Sequence, residues 1–259
     1  MARSLYVWAC AAALLAAAPA GRLRAQASQN FDPGGTTLSP YSSFGFGDPI
    51  EPLNARLWSM GGLRYGVVSR HGVNRANPAS YADLVLTAVD VAGYFRGTRL
   101  ESANQGLHAR TGGYQLLAVG LPATSRLALS FGAAPATAVG YQVRGAGLLD
   151  DAGTLVRYTT RATGAGGLTE LYAGAATNFL RRRLAVGANV SYYFGSIIQN
   201  WQTSLENQAG TLSILERNTR LSGAQITLGA TFTDTLAPGW LGRAGLVARL
   251  PFKMVPTEL

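Results

Sequence analysis

The sequence predicts an all-β fold, an antiparallel transmembrane β-barrel of the outer-membrane type, and three observations predict it. Apolar side chains recur at every second position in several segments, the mark of a strand with two unlike faces. Only 14% of the 259 residues are charged although 47% are hydrophobic, against the ~25% charged usual in water-soluble domains. The segments are joined alternately by long and short connections, as in barrels with short periplasmic turns and longer external loops. Beyond the extreme N-terminus no apolar run approaches the ~20 residues that a spanning helix needs.

The N-terminus reads as an address label. Arg3 supplies a positive start, LYVWACAAALLAAA an apolar stretch, and Ala25-Gln26-Ala27 a small-residue cleavage site. Residues 1–27 are therefore expected to be a signal peptide, with Ser28 the first mature residue. Most of the apolar stretch follows Cys10, which argues against a lipoprotein signal. Without Cys10 the mature chain has no thiol, so no disulfide and no cysteine-based metal site are expected. Loss of Arg3, Arg22 and Arg24 leaves 19 basic residues against 13 acidic, a net +6 in place of +9. The arginines are scattered or sit at turns such as Arg181-Arg182-Arg183 and form no stripe with aromatics, which argues against nucleic acid. Outer-membrane lipid and lipopolysaccharide head groups are the more natural partners, although any single turn arginine has plain solvation as its simplest account.

The strands follow in order. LVLTAVDVAGYFR (84–96) is β-rich and leads into the polar connection GTRLESANQGLHARTG. A second strand over 113–121 ends at the tight turn Pro122-Ala123-Thr124-Ser125. RLALSFGAA (126–134) alternates Leu127, Leu129 and Phe131 on one side, and about 30 Gly-rich and polar residues follow, with a turn signal at Asp150-Asp151-Ala152-Gly153. LTELYAGAATNFL (168–180) is joined by the arginine turn to RLAVGANVSYYFGSI (183–197), and a second polar excursion runs through NWQTSLENQAG. SGAQITLGATF (222–232) turns at Leu236-Ala237-Pro238-Gly239 into WLGRAGLVARL (240–250).

The fifth of these seven strands shows the faces best. Leu184, Val186, Ala188, Val190, Tyr192 and Phe194 would meet lipid, while Asn189 and Ser191 face a hydrated or filled lumen. Hydrocarbon offers no water to unpaired backbone groups, so such strands must close into a barrel. A soluble sandwich would carry more Lys and Glu on the polar face. Tyr94, Phe95, Phe179, Phe194 and Trp240 lie near strand ends and suit interfacial girdles. Single-chain bacterial barrels have an even number of strands. A seventh outward strand leaves the chain end outside, so the sequence is expected to be incomplete or the barrel to need a partner. GGLRYGVV (61–68) is a candidate eighth strand, and PFKMVPTEL trails off without an aromatic ending.

SPYSSFGFGDP (39–49), SMGGLRYGV (59–67) and NRANPASYADL (74–84) resemble the N-terminal part of FadL-like outer-membrane proteins, in the versions common in Bacteroidetes and related phyla. The similarity continues through VGLPATSRLALSFG, GGLTELYAGAATNFL and RLAVGANVSYYFGSI, so it covers most of residues 39–200. The resemblance implies a hatch or plug over residues 28–83 and barrel strands over 84–259, about seven or eight strands of a larger, incomplete barrel. It implies passive, hatch-gated uptake of long-chain fatty acids or other hydrophobic compounds across the outer membrane. Asn77, Pro78 and Ala79 match the family's NPA element, and with Tyr41, Phe44 and Phe46 they form the expected hatch and ligand path. Gly45, Gly47, Gly61 and Gly62 offer backbone freedom for a hatch shift, and turn-making is their plainer role.

Catalysis finds no support: no GxSxG, HExxH, Walker A or GxGxxG pattern is present. His71 and His108 fall in expected loops without ligand spacing, and neither cofactor nor metal is expected. Asp90 and Glu170 interrupt apolar strands and could each meet an arginine in the lumen. Two further readings stay open. One is a PorV-like or structural barrel acting as a protein-secretion partner; the other, ranked last, is an outer-membrane enzyme acting on lipid or glycan.

Overall fold

The structure, a computed structural model, describes residues 37, 39–102, 105–151, 154–205 and 211–258. The expected signal peptide, Cys10 and the start of the expected hatch lie outside these residues. A plug-like segment comes first, with a 3₁₀ turn at Pro40–Ser43, a two-residue strand β1 (Asp48–Pro49), a short helix α1 (Ala55–Ser59) and a second 3₁₀ turn at Pro78–Asp83. Seven long strands follow: β2 (Ala88–Ser102), β3 (Gln105–Pro122), β4 (Leu127–Asp151), β5 (Thr154–Phe179), β6 (Leu184–Leu205), β7 (Thr211–Ala237) and β8 (Trp240–Arg249). They pair antiparallel in sequence order as a curled half-barrel. Among the described residues no helix is long and apolar enough to cross a membrane.

The two faces of the strands are as the alternation demands. Val190, Tyr192 and Phe194 are 58%, 50% and 40% exposed on the outside, whereas their neighbours Asn189 and Ser191 are 3% and 2% exposed. Leu127, Leu129 and Phe131 point outward and Ala128 and Ser130 inward in the same way. From Leu184 to Phe194 the outward set spans eleven residues, or ten steps of rise, along β6. At ~3.4 Å per residue and a tilt of about 40°, that is roughly 25 Å of height, the thickness of an apolar band.

Strand length departs from expectation. The segments read as long loops after 96, 134 and 197 continue as paired β-ribbon, so that β4, β5, β6 and β7 reach 25, 26, 22 and 27 residues. The ~9–11 residues that cross a bilayer account for less than half of each. A second buried cluster of Val139, Tyr141, Leu168, Ile197 and Leu221 lies at the base of these extensions; beyond it the residues are exposed or half-buried and mostly polar, so the periodic signal fades although the ladder persists. Thr159, Thr160 and Thr203 suit a pleat, and the hydroxyls of Thr160 and Thr203 meet across the strands at 3.3 Å.

Two smaller segments also differ. Residues 61–68 form no strand; they lie in the plug, where the carbonyls of Arg64, Tyr65 and Val67 accept from the amides of Asn74 and Asn77 instead of joining a ladder. The PFKMVPTEL segment does not simply trail off. After a break at Leu250–Met254, Val255–Glu258 forms β9 and rejoins β7 opposite Thr219–Ser222.

The plug segment also enters the wall. β3 bonds to β4 only over Leu117–Pro122. Beyond that, the edge of β4 is taken by β1, by Ser39 N–H donating to Gly140 O at 3.0 Å, and by Ile50 N–H donating to Ala136 O at 2.9 Å. The core lies between plug and sheet, where Tyr81, Val73 and Leu84 pack on Leu116, Ala118, Ala128 and Tyr172.

Gly187 and Gly229 are cross-strand partners on β6 and β7. A Cβ at Gly187 would overlap Pro78, and one at Gly229 would overlap Asn77 and Pro78. Gly187→Val or Gly229→Val is therefore expected to destabilise by about 1–3 kcal/mol and to loosen the plug. Gly145→Val, with nothing near its added carbon, should change stability by no more than ~0.5 kcal/mol. Urea unfolding in detergent and proteolysis within residues 60–83 read both effects.

Candidate functional site

The site is the junction of the plug with the inner wall. Its centre is the turn at Asn77-Pro78-Ala79. Asn77 caps the 3₁₀ turn, its side-chain oxygen accepting from Ala79 N–H at 3.1 Å, while its amide donates to Tyr65 O at 2.7 Å and to Ala230 O of β7 at 3.3 Å. Pro78 follows at the first position of the turn, where its missing N–H costs nothing. Asn189 Nδ2 donates to the Tyr81 hydroxyl at 3.0 Å and Asn178 Nδ2 to Ala82 O at 2.6 Å. Burial pushes the Tyr81 phenol above its ordinary value, so it stays neutral.

Beside this turn, Arg75 forms a buried ion pair with Glu170 of β5 and lies over the Tyr172 ring, 5.4 Å from its centroid. Burial lowers the Arg75 guanidinium from its ordinary value, although a guanidinium keeps its charge. The pair is incompletely satisfied: Arg75 Nε and Glu170 Oε1 are both buried without a partner. Both residues line a cavity of about 320 Å³, with Leu168, Tyr193, Arg249 and Phe252 among its other walls. Phe252 reaches it from the break between β8 and β9 and stacks on Tyr193 at 5.2 Å. The cavity thus combines cationic groups with apolar wall.

The sequence-predicted residues divide. Asn77, Pro78 and Ala79 come together at the buried centre of the plug. Tyr41 and Phe44 are 75% exposed and Phe46 47% exposed, so they lie apart from that centre and from the lumenal cavity. Gly47 occupies positive φ against Ala138 and Val139 and serves a tight turn. Glu170 meets an arginine as expected, whereas Asp90 accepts from the backbone N–H of Val73. Arg75 and the paired glycines escape a reading of the sequence. Only the position of Arg75, two residues before Asn77, hinted at its role. Among the described residues no cluster of three or more His, Cys, Asp or Glu could hold a metal ion.

A family model described as BamG matches residues 24–247. No curated protein and no solved structure matches.

Removing one member of a buried ion pair leaves an uncompensated charge. Arg75→Met and Glu170→Leu are each expected to cost about 3–5 kcal/mol, and the double substitution to recover most of that loss. Equilibrium unfolding of the three variants in detergent measures it.

Proposed function

The chain belongs to the BamG family, an outer-membrane BAM-related family, and on that premise we propose that it is a structural barrel element that binds a protein partner within a BAM-related outer-membrane assembly. One observation carries the reading: the lumen is occupied by a plug pinned to three successive strands. Asn178 and Glu170 of β5, Asn189 of β6 and the Ala230 carbonyl of β7 all bond to residues 75–82. A wall so braced from inside suits a rigid scaffold better than a conduit. The long ribbons of β4–β7 beyond the apolar band add a large water-facing surface for such a partner.

A second reading, FadL-like uptake of long-chain fatty acids or other hydrophobic compounds, is favoured by the lumenal cavity. Arg75 and Arg249 beside Leu168, Phe252 and Met254 suit a carboxylate with a hydrocarbon tail. It requires the Arg75–Glu170 pair to part when the hatch shifts.

Purification of the tagged full chain from solubilised outer membranes is expected to bring down a BAM-type protein in comparable amount. Deletion of the gene should leave uptake of labelled oleate unchanged. A chain that purifies alone, with oleate uptake lost on deletion, selects the second reading instead.

A further inference from the structure

At the short-turn end of the sheet, the tips of two turns enclose a cavity of about 450 Å³ lined by Ser125, Arg126, Asn178, Phe179, Leu180 and Arg182. Arg182 Nη2 donates to Ser125 O at 3.3 Å and ties the two turns together. Asn178 is 8% exposed; its amide is used on Ala82 but its Oδ1 is buried without a partner. The cavity therefore offers two arginines, while the Asn178 side chain is turned inward to the plug.

A second, almost wholly apolar depression of about 480 Å³ lies on the wall across β4–β7. Leu127 and Leu228 bound it, and Ala175 and Ala188, directly opposite each other on β5 and β6, make its floor. The two features are continuous along the chain. Arg126 precedes Leu127, and Asn178 follows Thr177, which also lines the groove. Head and tail sites are thus one residue apart on two adjacent strands, about 3.4 Å of rise.

We infer that this end of the wall binds one glycerophospholipid, with its phosphate between Arg126 and Arg182 and an acyl chain in the groove over Ala175 and Ala188. Charge selects the head: guanidinium groups bind phosphate through paired, charge-assisted hydrogen bonds. Location selects the leaflet, because short turns mark the periplasmic end of outer-membrane barrels. Small side chains set between leucines turn a lipid-wetted wall into a groove that holds one chain in place. The inference depends on the outward face meeting lipid and is independent of which protein the chain binds.

Native mass spectrometry of the purified full chain in detergent, titrated with palmitoyl-oleoyl-phosphatidylethanolamine, tests it. One retained lipid is expected. Arg126→Gln with Arg182→Gln should weaken retention roughly tenfold or more, the loss of one charge-assisted contact. Ala188→Phe, which fills the groove, should release the lipid as well. Arg243→Gln, outside both cavities, should leave retention unchanged, and inorganic phosphate should not displace the lipid. Retention unaltered by the double Gln substitution, or full displacement by inorganic phosphate alone, overturns the inference. The two arginines are exposed at turns, so their substitution decides the matter even if Ala188→Phe fails to fold.

Discussion

The close approach of the Asn77-Pro78-Ala79 turn to Gly187 and Gly229 is the constraint on which the rest of the structure depends. A curled sheet whose outer face is apolar must fill its inner face with something that is neither hydrocarbon nor open water. The inner positions are mostly Ala, Gly, Ser and Asn, too small to fill that space from the wall. The plug supplies the volume, and two facing glycines let its backbone come near enough for Asn77 to reach both Tyr65 within the plug and Ala230 in the wall. With any larger residue at those points the hydrogen bonds and the packing of Tyr81 would be lost together.

Polar contacts then decide the plug's orientation. Apolar packing is non-directional, whereas Asn54, Asn74, Asn77, Asn178 and Asn189 each bond a particular backbone or hydroxyl group. The Arg75–Glu170 pair adds a charge that is expensive to bury and more expensive to leave alone. Both residues also border the cavity beside the plug, where Tyr193 and Phe252 stack. The same contacts brace the wall from inside and close the space beneath it.

The outside of the sheet is governed by different physics. Along β6 the continuous apolar face lasts from Leu184 to Phe194 and gives way to Ser196, Asn200 and Gln202, with Ile198 the one apolar residue among them, although the strand continues to Leu205. Backbone pairing between β5, β6 and β7 continues through those upper ribbons, over a small buried cluster of Val139, Tyr141, Leu168, Ile197 and Leu221 at their base. At the opposite end the turns bring Arg126 and Arg182 to the boundary of the apolar face.

Period-two alternation, sparse charge and the placing of short turns were sufficient to determine seven antiparallel strands, their order along the chain and which side chains face outward. These are local properties, readable because lipid and lumen impose opposite demands on neighbouring residues. Strand length was not readable: Tyr158 to Thr163 and Gln199 to Leu205 are exposed or only half-buried and carry mostly polar side chains, and the signal that marks a strand requires one dry, apolar face. Asn77-Pro78-Ala79 announced a turn, but only tertiary structure decided that Gly187 and Gly229, more than a hundred residues away, would receive it. The pairing of Arg75 with Glu170, the return of β9 to β7 and the entry of β1 into the wall were decided there too. Each is a contact between distant segments, and its energy exists only once the sheet has curled.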